Sequence, residues 1–369
     1  MNSSIRVGTL FGIPFYVNPS WFLVLGLVTV SYGSGLAAQF PSLPVGIPLM
    51  LGFVTALLLF ASVLAHELGH SFVAQHQGIG VQSITLFLFG GLASLEKESR
   101  TPAEAFWVAI AGPLVSLVLF GVLTTVVVTT PVSGPLAAII SLLAYINLML
   151  GLFNLIPGLP LDGGNILKAI VWKITGNPYK GIRFASRVGQ LLGWLAIVSG
   201  VLPLITYSGS LNFWNVLIGW FLLQNAGQSA QFAAVQEQLS GLTAADVVTP
   251  NSPIVTSSMS LREFADQRIV HQDLWRKFLV TDAEGQLIGE LSVSDLKSVA
   301  SNQWTTTTVG DLTKPMTSAA TVVYNQPLMD VIKRLEESQL STLAVIGNNG
   351  VLLGLLEKAS IVKLLQQPA

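Results

Sequence analysis

The chain has 369 residues, a formal net charge of −1 and no cysteine; 51% of its residues are hydrophobic and only 10% are charged. Soluble globular proteins carry about 25% charged residues, so much of this chain is built for a solvent other than water. The balanced charge gives no bulk electrostatic pull toward nucleic acid, and the missing cysteines exclude disulfides and thiolate metal ligands, so any zinc must be held by nitrogen and oxygen. Charge is also unevenly placed. Long windows between Pro19 and Ala233 are nearly free of it, while Gln236 to Ala369 has ordinary soluble chemistry. That asymmetry predicts a membrane domain over 1–235 and a water-soluble domain over 236–369.

The N-terminal segment alternates through Ile5, Val7, Leu10, Ile13, Phe15 and Val17, which predicts a short extended element on the membrane surface. The apolar run behind it, with small residues around Gly35–Ala38, partly mimics a cleavable signal. It starts late, after Pro14 and Pro19, and is expected to be a retained first helix. A spanning helix needs about 20 mainly apolar residues. Six stretches qualify as candidates: Trp21 to Ala38, Pro48 to Gln75, Phe106 to Thr129, Leu136 to Leu155, Val188 to Ile205 and Phe213 to Phe232, the last two interrupted by glycine and polar residues. Connections near Gly33–Gly46, Thr130–Pro135 and Tyr207–Asn212 lack Lys and Arg, whereas the opposite ones hold Lys97, Arg100, Lys168, Lys173, Lys180, Arg183 and Arg187. The positive-inside rule makes the second set cytoplasmic, and an even number of spans puts both termini there too.

Near the far end of the second span stands His66-Glu67-Leu68-Gly69-His70. Two histidines four residues apart share a helix face and can reach one zinc ion, while the intervening glutamate supplies a proton acceptor for hydrolysis. Ionisable groups at membrane depth are costly and default to a functional reading. The bland alternative is a polar helix end at the membrane surface that happens to spell the motif. Next comes Val81 to Glu96, rich in β-branched and aromatic residues and broken by Gly90-Gly91, which predicts a hairpin or bent strand pair. Exposed backbone cannot sit in lipid, so this segment either packs at the interface or offers a sheet edge around Phe89, Gly90 and Gly91 to an unwound substrate.

A third ligand is needed, because a catalytic zinc usually takes three protein ligands. The fourth span closes in Asn154-Leu155-Ile156-Pro157-Gly158-Leu159-Pro160-Leu161-Asp162-Gly163-Gly164. Two prolines and three glycines turn the backbone here, and Asp162 has no basic neighbour before Lys168. Either Asp162 caps the next helix, or it binds a cation; beside His66 and His70 the metal reading is the stronger. His76 faces a polar loop and His271 lies in the soluble half; neither is assigned to the metal.

These residues carry a resemblance. The histidine motif, Ala111-Gly112-Pro113 at the start of the third span, and the asparagine–proline–proline–Asp-Gly pattern resemble the site-two protease family of intramembrane zinc metalloproteases. The resemblance implies zinc held by His66, His70 and Asp162, with Glu67 as general base. It places the motif asparagine on Asn154, which would help hold substrate or its oxyanion; a helix-end amide bonding freed carbonyls is the structural alternative. It further implies a membrane-spanning protein as substrate, the lipid bilayer as medium and a prokaryotic plasma membrane as location.

From 236 onward the chain repeats. Asp246 and Pro250 recur as Asp311 and Pro315, and Gly285 and Gly289 as Gly350 and Gly354, each offset by 65 residues (311 − 246; 354 − 289). Each unit predicts leader, helix, strand, turn, strand and helix; in the first these include helix 261–269, strands 277–281 and 287–291, and helix 293–300. A fixed period implies units that share a core. The pattern resembles a tandem pair of CBS domains, over about 243–302 and 306–366, a module that dimerises and often binds adenine nucleotides such as ATP or AMP. The positions implied for a nucleotide are Ser292 and Asp295; their counterparts Glu357 and Ser360 suit phosphate and ribose less well.

The expected fold is therefore an α-helical polytopic membrane domain with a short β element, followed by an α+β tandem CBS module. The expected function is intramembrane proteolysis of membrane-anchored proteins by a zinc metalloendopeptidase, with a dimerising or nucleotide-responsive CBS module. The rival classes are an inactive scaffold that binds such substrates, and a CBS-regulated transporter or channel. A transporter should show paired broken helices in two related halves, and only the break at 154–164 is evident.

Overall fold

The computed structural model describes residues 4–87, 90–206, 209–269, 275–316 and 320–366. It divides into two compact units, Met1–Ala234 and Val235–Ala369.

The first unit opens with β1 (Ile5–Leu10) and β2 (Ile13–Val17), an antiparallel hairpin turned at Phe11 and Gly12, both at positive φ. Helices α1 (Ser20–Gln39) and α2 (Ile47–His76) follow, then the expected strand pair β3 (Val81–Phe87) and β4 (Gly90–Leu95). β2 pairs in parallel with β3, and β3 pairs antiparallel with β4, giving a four-stranded sheet ordered β1-β2-β3-β4 with β4 at an edge. The N-terminal element and the Val81–Glu96 segment, predicted separately, are thus one sheet.

Helices α3 (Pro102–Thr129) and α4 (Gly134–Asn154) form the third and fourth predicted spans. The Asn154–Leu161 turn then delivers α5 (Asp162–Thr175), followed by α6 (Pro178–Thr206) and α7 (Phe213–Leu239). Lys168 and Lys173 therefore lie on α5, and Lys180, Arg183 and Arg187 on the first turns of α6, rather than on an open connection. Among the described residues, five helices are long and apolar enough to cross a membrane: α1, α2, α3, α4 and α6. The sixth predicted stretch does form a helix, α7, but Gln224, Asn225, Gln228 and Ser229 interrupt its apolar run and keep it outside that group.

Helices in lipid gain little from burying apolar surface against one another, so close approach at small residues carries the packing. α1 and α2 meet where a Cβ on Gly33 would press on the backbone of Pro48 and Leu49. α2 and α3 meet at Gly69, where a Cβ would lie 2.8 Å from Val115 Cγ2 and 3.0 Å from the Ala111 carbonyl oxygen. The glycine of the histidine motif is thus a helix-contact residue.

The second unit holds two three-stranded sheets of the same plan. The first repeat contributes β5 (Ile254–Thr256), α8 (Leu261–Phe264, continued to Ile269 as a wider helical turn), β6 (Lys277–Thr281) and β7 (Leu287–Ser292), with a tight helical turn over Val293–Ser298. The second contributes α9 (Val309–Leu312), β8 (Thr321–Val323), α10 (Leu328–Glu337), β9 (Thr342–Ile346), β10 (Leu352–Glu357) and α11 (Lys358–Gln366). In each sheet the central strand pairs in parallel with the first and antiparallel with the last. Gly285 and Gly350 occupy the equivalent turns at φ 79° and 82°, a region that favours glycine.

The repeats exchange leaders. Leu239, Ala244 and Val247 pack into the core of the second repeat with Val322, Leu328, Leu343 and Leu356. Val309 packs into the core of the first with Phe264, Phe278 and Leu291. The backbone follows: Thr249 N–H donates to the Leu355 carbonyl (2.8 Å), and Glu290 and Lys314 exchange both bonds at 2.9 Å. Each predicted unit is a sequence repeat whose first segment completes the other one.

Candidate metal centre

His66 and His70 project from the C-terminal half of α2, one turn apart, with rings edge to face and centroids 5.0 Å apart. Asp162 is the first residue of α5. Its Oδ2 lies 3.0 Å from His66 Nε2 and 3.3 Å from His70 Nε2, and the two Nε2 atoms are 3.3 Å apart. Asp162 is not the cap of α5, since Leu161 holds that position; its carboxylate points at the imidazoles instead. The bend permits this through glycine: a Cβ on Gly163 would collide with the backbone of Leu155 and Ile156, and one on Gly164 with that of Gly158 and Leu159.

The donor set fits zinc. One ligand atom from each of the three residues lies within 4.8 Å of the others, in nitrogen and oxygen chemistry, and three protein ligands leave a further position for a reacting group. The far side of each ring is also fixed. His70 Nδ1 lies 2.7 Å from the Val108 carbonyl oxygen, and His66 Nδ1 lies 2.9 Å from Ser116 Oγ, both on α3. Between them, a Cβ on Gly112 would overlap the imidazoles, so Gly112 keeps the space they occupy.

Glu67 sits beside this cluster and meets β4. Its carboxylate accepts a hydrogen bond from the Ala93 N–H, and a Cβ on Gly91 would strike its side chain. A cavity of about 380 Å³ opens here, lined by His66, Glu67, His70 and Asp162 together with Gly90 and Gly91 of β4, and Asn154 at the end of α4. Lys168 and Glu98, 3.9 Å apart, also line it. Asn154 donates from Nδ2 to the Leu150 carbonyl (3.0 Å), the bond expected of a helix-end amide, while also lining the cavity. Phe89 and His271 lie outside the described residues, and His76 is exposed at the end of α2. Sequence reasoning brought the histidines, Glu67, Asp162, Asn154 and the glycine pair to one place. It missed Ser116 and the Val108 carbonyl, and it quoted Gly112 within Ala111-Gly112-Pro113 without giving it a role beside the imidazoles.

In the second unit, Ser292 and Asp295 close a capping box on the Val293–Ser298 turn: Asp295 Oδ2 accepts from the Ser292 N–H at 3.2 Å. Asp295 Oδ1 also accepts from Lys314 Nζ at 2.7 Å. The repeat-related pair is Thr249 and Ser360, whose hydroxyls lie 3.3 Å apart beside a cavity of about 460 Å³ that Glu357 and Lys363 also line.

Comparison with known proteins gives the family of the chain. The family model described as peptidase family M50 matches residues 54–139 and 129–196, and the CBS domain model matches 244–302 and 309–367. A Synechocystis sp. protein provisionally named a zinc metalloprotease is 59% identical over 369 residues, covering 100% of this chain and 97% of that protein. A zinc metalloprotease of Methanocaldococcus jannaschii is 33% identical over 297 residues, 80% of each chain. The solved site-2 protease from the same archaeon aligns at 31% identity and a TM-score of 0.44, covering 62% of this chain and 95% of that one. Fold and centre together are those of an integral-membrane zinc metalloprotease with tandem CBS domains. The chain belongs to peptidase family M50, the site-2 protease type.

Proposed function

We propose that this protein hydrolyses peptide bonds in the membrane-spanning segments of other proteins. The observation that carries the reading is the convergence of His66, His70 and Asp162, from two elements of the membrane unit, beside Glu67 and a cavity. Zinc bound by these three residues supplies Lewis acidity, which lowers the pKa of water toward about 7 and stabilises negative charge on oxygen. Glu67 is the proton carrier: its carboxylate takes the proton of the attacking water and returns it to the departing amine nitrogen. Ala93 N–H orients that carboxylate.

Helical amides are shielded and hydrogen-bonded, so a substrate helix unwinds before it is cut. β4 offers the place: it is a sheet edge, it borders the cavity at Gly90 and Gly91, and a side chain at Gly91 would crowd Glu67. The unwound segment adds along it as a strand, with Asn154, which lines the same cavity, holding the segment or its developing oxyanion. Zinc analysis of the purified protein with cleavage of a membrane-spanning peptide tests the reading. Wild type cuts, whereas His66→Ala, Glu67→Gln and Asp162→Ala do not; cleavage at the wild-type rate by Glu67→Gln overturns the mechanism, and absence of cleavage by zinc-loaded wild type overturns the function in favour of a binding scaffold.

We place both termini in the cytoplasm of a prokaryotic cell, which requires α7 to cross as the sixth span. Its Asn225 and Ser229 side chains donate to the Phe221 and Asn225 carbonyls of the same helix, which is how polar groups are satisfied in lipid. We further propose that the CBS module dimerises and binds an adenine nucleotide that gates access to the centre. A nucleotide at Ser292 and Asp295 has to displace Lys314; among the described residues, the cavity at Thr249 and Ser360 has no such ion pair between those two positions. Equal cleavage rates with and without saturating ATP or AMP refute the gating.

A further inference from the structure

One face of α3 looks at the two histidines. It reads Val108, Gly112, Ser116, a four-residue spacing that places all three on a single helical stripe. Each gives something different. Val108 offers its carbonyl oxygen to His70 Nδ1, Gly112 leaves the room that both rings fill, and Ser116, wholly buried, brings its hydroxyl to His66 Nδ1.

The chemistry of the ring nitrogens gives this stripe its meaning. A neutral imidazole carries one N–H, and the partner of one nitrogen decides whether the other keeps its lone pair. A carbonyl only accepts, so His70 holds its proton on Nδ1 and turns the Nε2 lone pair toward Asp162. A hydroxyl can accept or donate, and acceptance by Ser116 gives His66 the same arrangement. The serine is also unlike other hydroxyls on the spanning helices. Thr29, Ser34, Thr55, Ser62, Ser71 and Thr125 bond back to a carbonyl four residues earlier on their own helix. Ser116 instead reaches across to α2.

We propose that Ser116 is a positioning residue of the metal centre: its Oγ accepts the Nδ1–H of His66 and holds the Nε2 lone pair toward the ion, an inference that rests on the His66–His70–Asp162 centre proposed above. It touches neither substrate nor reacting atoms and acts through His66 alone.

The test uses the purified full chain in detergent and measures zinc affinity by chelator competition, with thermal unfolding of the zinc-free protein alongside. Loss of such an outer partner lowers metal affinity by about 10–100-fold. Ser116→Ala shows that loss with an unchanged zinc-free unfolding temperature, and Ser116→Thr, which keeps the hydroxyl, restores the affinity. Should alanine prevent folding, Ser116→Thr and Ser116→Val, alike in volume, carry the comparison: threonine keeps zinc and valine loses it. Wild-type affinity in the variant lacking the hydroxyl overturns the proposal, as does a weakened affinity that threonine does not rescue. His66→Ala separates the two layers: if it keeps wild-type zinc affinity, the centre itself is refuted and the role of Ser116 with it, whereas its loss of zinc beside an unaffected Ser116→Ala refutes the serine alone.

Discussion

The two units of this chain bury opposite things. Thr55, His66, His70, Ser71, Ser116, Asn147 and Ser186 are buried polar side chains of the membrane unit, while among described residues the second unit buries only Thr281 in this way. Its interior is instead Phe264, Phe278, Leu291, Leu328, Leu343 and Leu356. Apolar side chains such as Phe22, Leu23, Leu195 and Trp220 stand on the outside of the membrane unit. In water, burial of apolar area drives the fold. Against lipid that drive is absent, polar groups turn inward, and glycine contacts set the helix spacing. A hydrolytic centre inside a bilayer is one outcome of the second regime: the interior is where its polar groups belong.

The comparison breaks most sharply at Glu67. Glu67→Gln keeps the three ligands and removes the proton carrier, so proteolysis falls by about 10³-fold or more while zinc content stays at the wild-type level. Loss of zinc in that variant would instead make Glu67 part of the binding set. Next is Gly112→Ala, which adds a single methyl group where the imidazoles stand. Zinc binding is expected to disappear, by metal analysis, although alanine suits a helix better than glycine. Such a result shows that shape complementarity matters in the membrane unit at one specific methyl.

Leu343→Ala probes the other regime. Leu343 is wholly buried in the core that the exchanged leader completes, and a leucine-to-alanine change there costs about 2–5 kcal/mol. Hydrogen exchange in the full chain should accelerate across the second unit with zinc content unaltered. The smallest effect is electrostatic. Lys314 beside Asp295, helped by the Ser292 N–H, holds this carboxyl below the usual aspartate range. A lowered folded-state pKa stabilises above the unfolded value, about 4, and that contribution fades as pH falls through the folded value. Lys314→Ala should return the Asp295 titration upward, as read by NMR of its carboxyl carbon, and remove the fading.

How much of this was legible in the sequence depended on whether a residue acts by presence or by absence. His66, Glu67 and His70 announce themselves by type and spacing, and Asp162 by being a lone carboxylate after an apolar run with no basic neighbour. The spans α1 to α4 lie within a few residues of their predicted limits, because lipid imposes one simple requirement on length and composition. Gly112 acts by having no side chain, so the Ala111-Gly112-Pro113 motif marked its position but not its role, and Ser116 resembles any small residue of an apolar helix; both roles needed the face of α3 that meets α2. The pairing of β2 with β3 joins strands more than sixty residues apart, which no local pattern encodes. Likewise the 65-residue period revealed that the soluble half repeats, but not that Val309 would fill the first repeat's core or that Lys314 would reach Asp295. Periodicity says what is alike; it does not say which copy a segment joins.

The leader exchange has a consequence for how the protein is made. Thr249 finds its backbone partner at Leu355, 106 residues later (355 − 249). A ribosome adding about 5–20 residues per second takes roughly 5–20 s to supply it. Until then the leader carrying Leu239, Ala244 and Val247 has no core to enter, on a chain already tethered to the bilayer, and a messenger truncated between the halves would leave that leader unpaired and the first repeat without Val309.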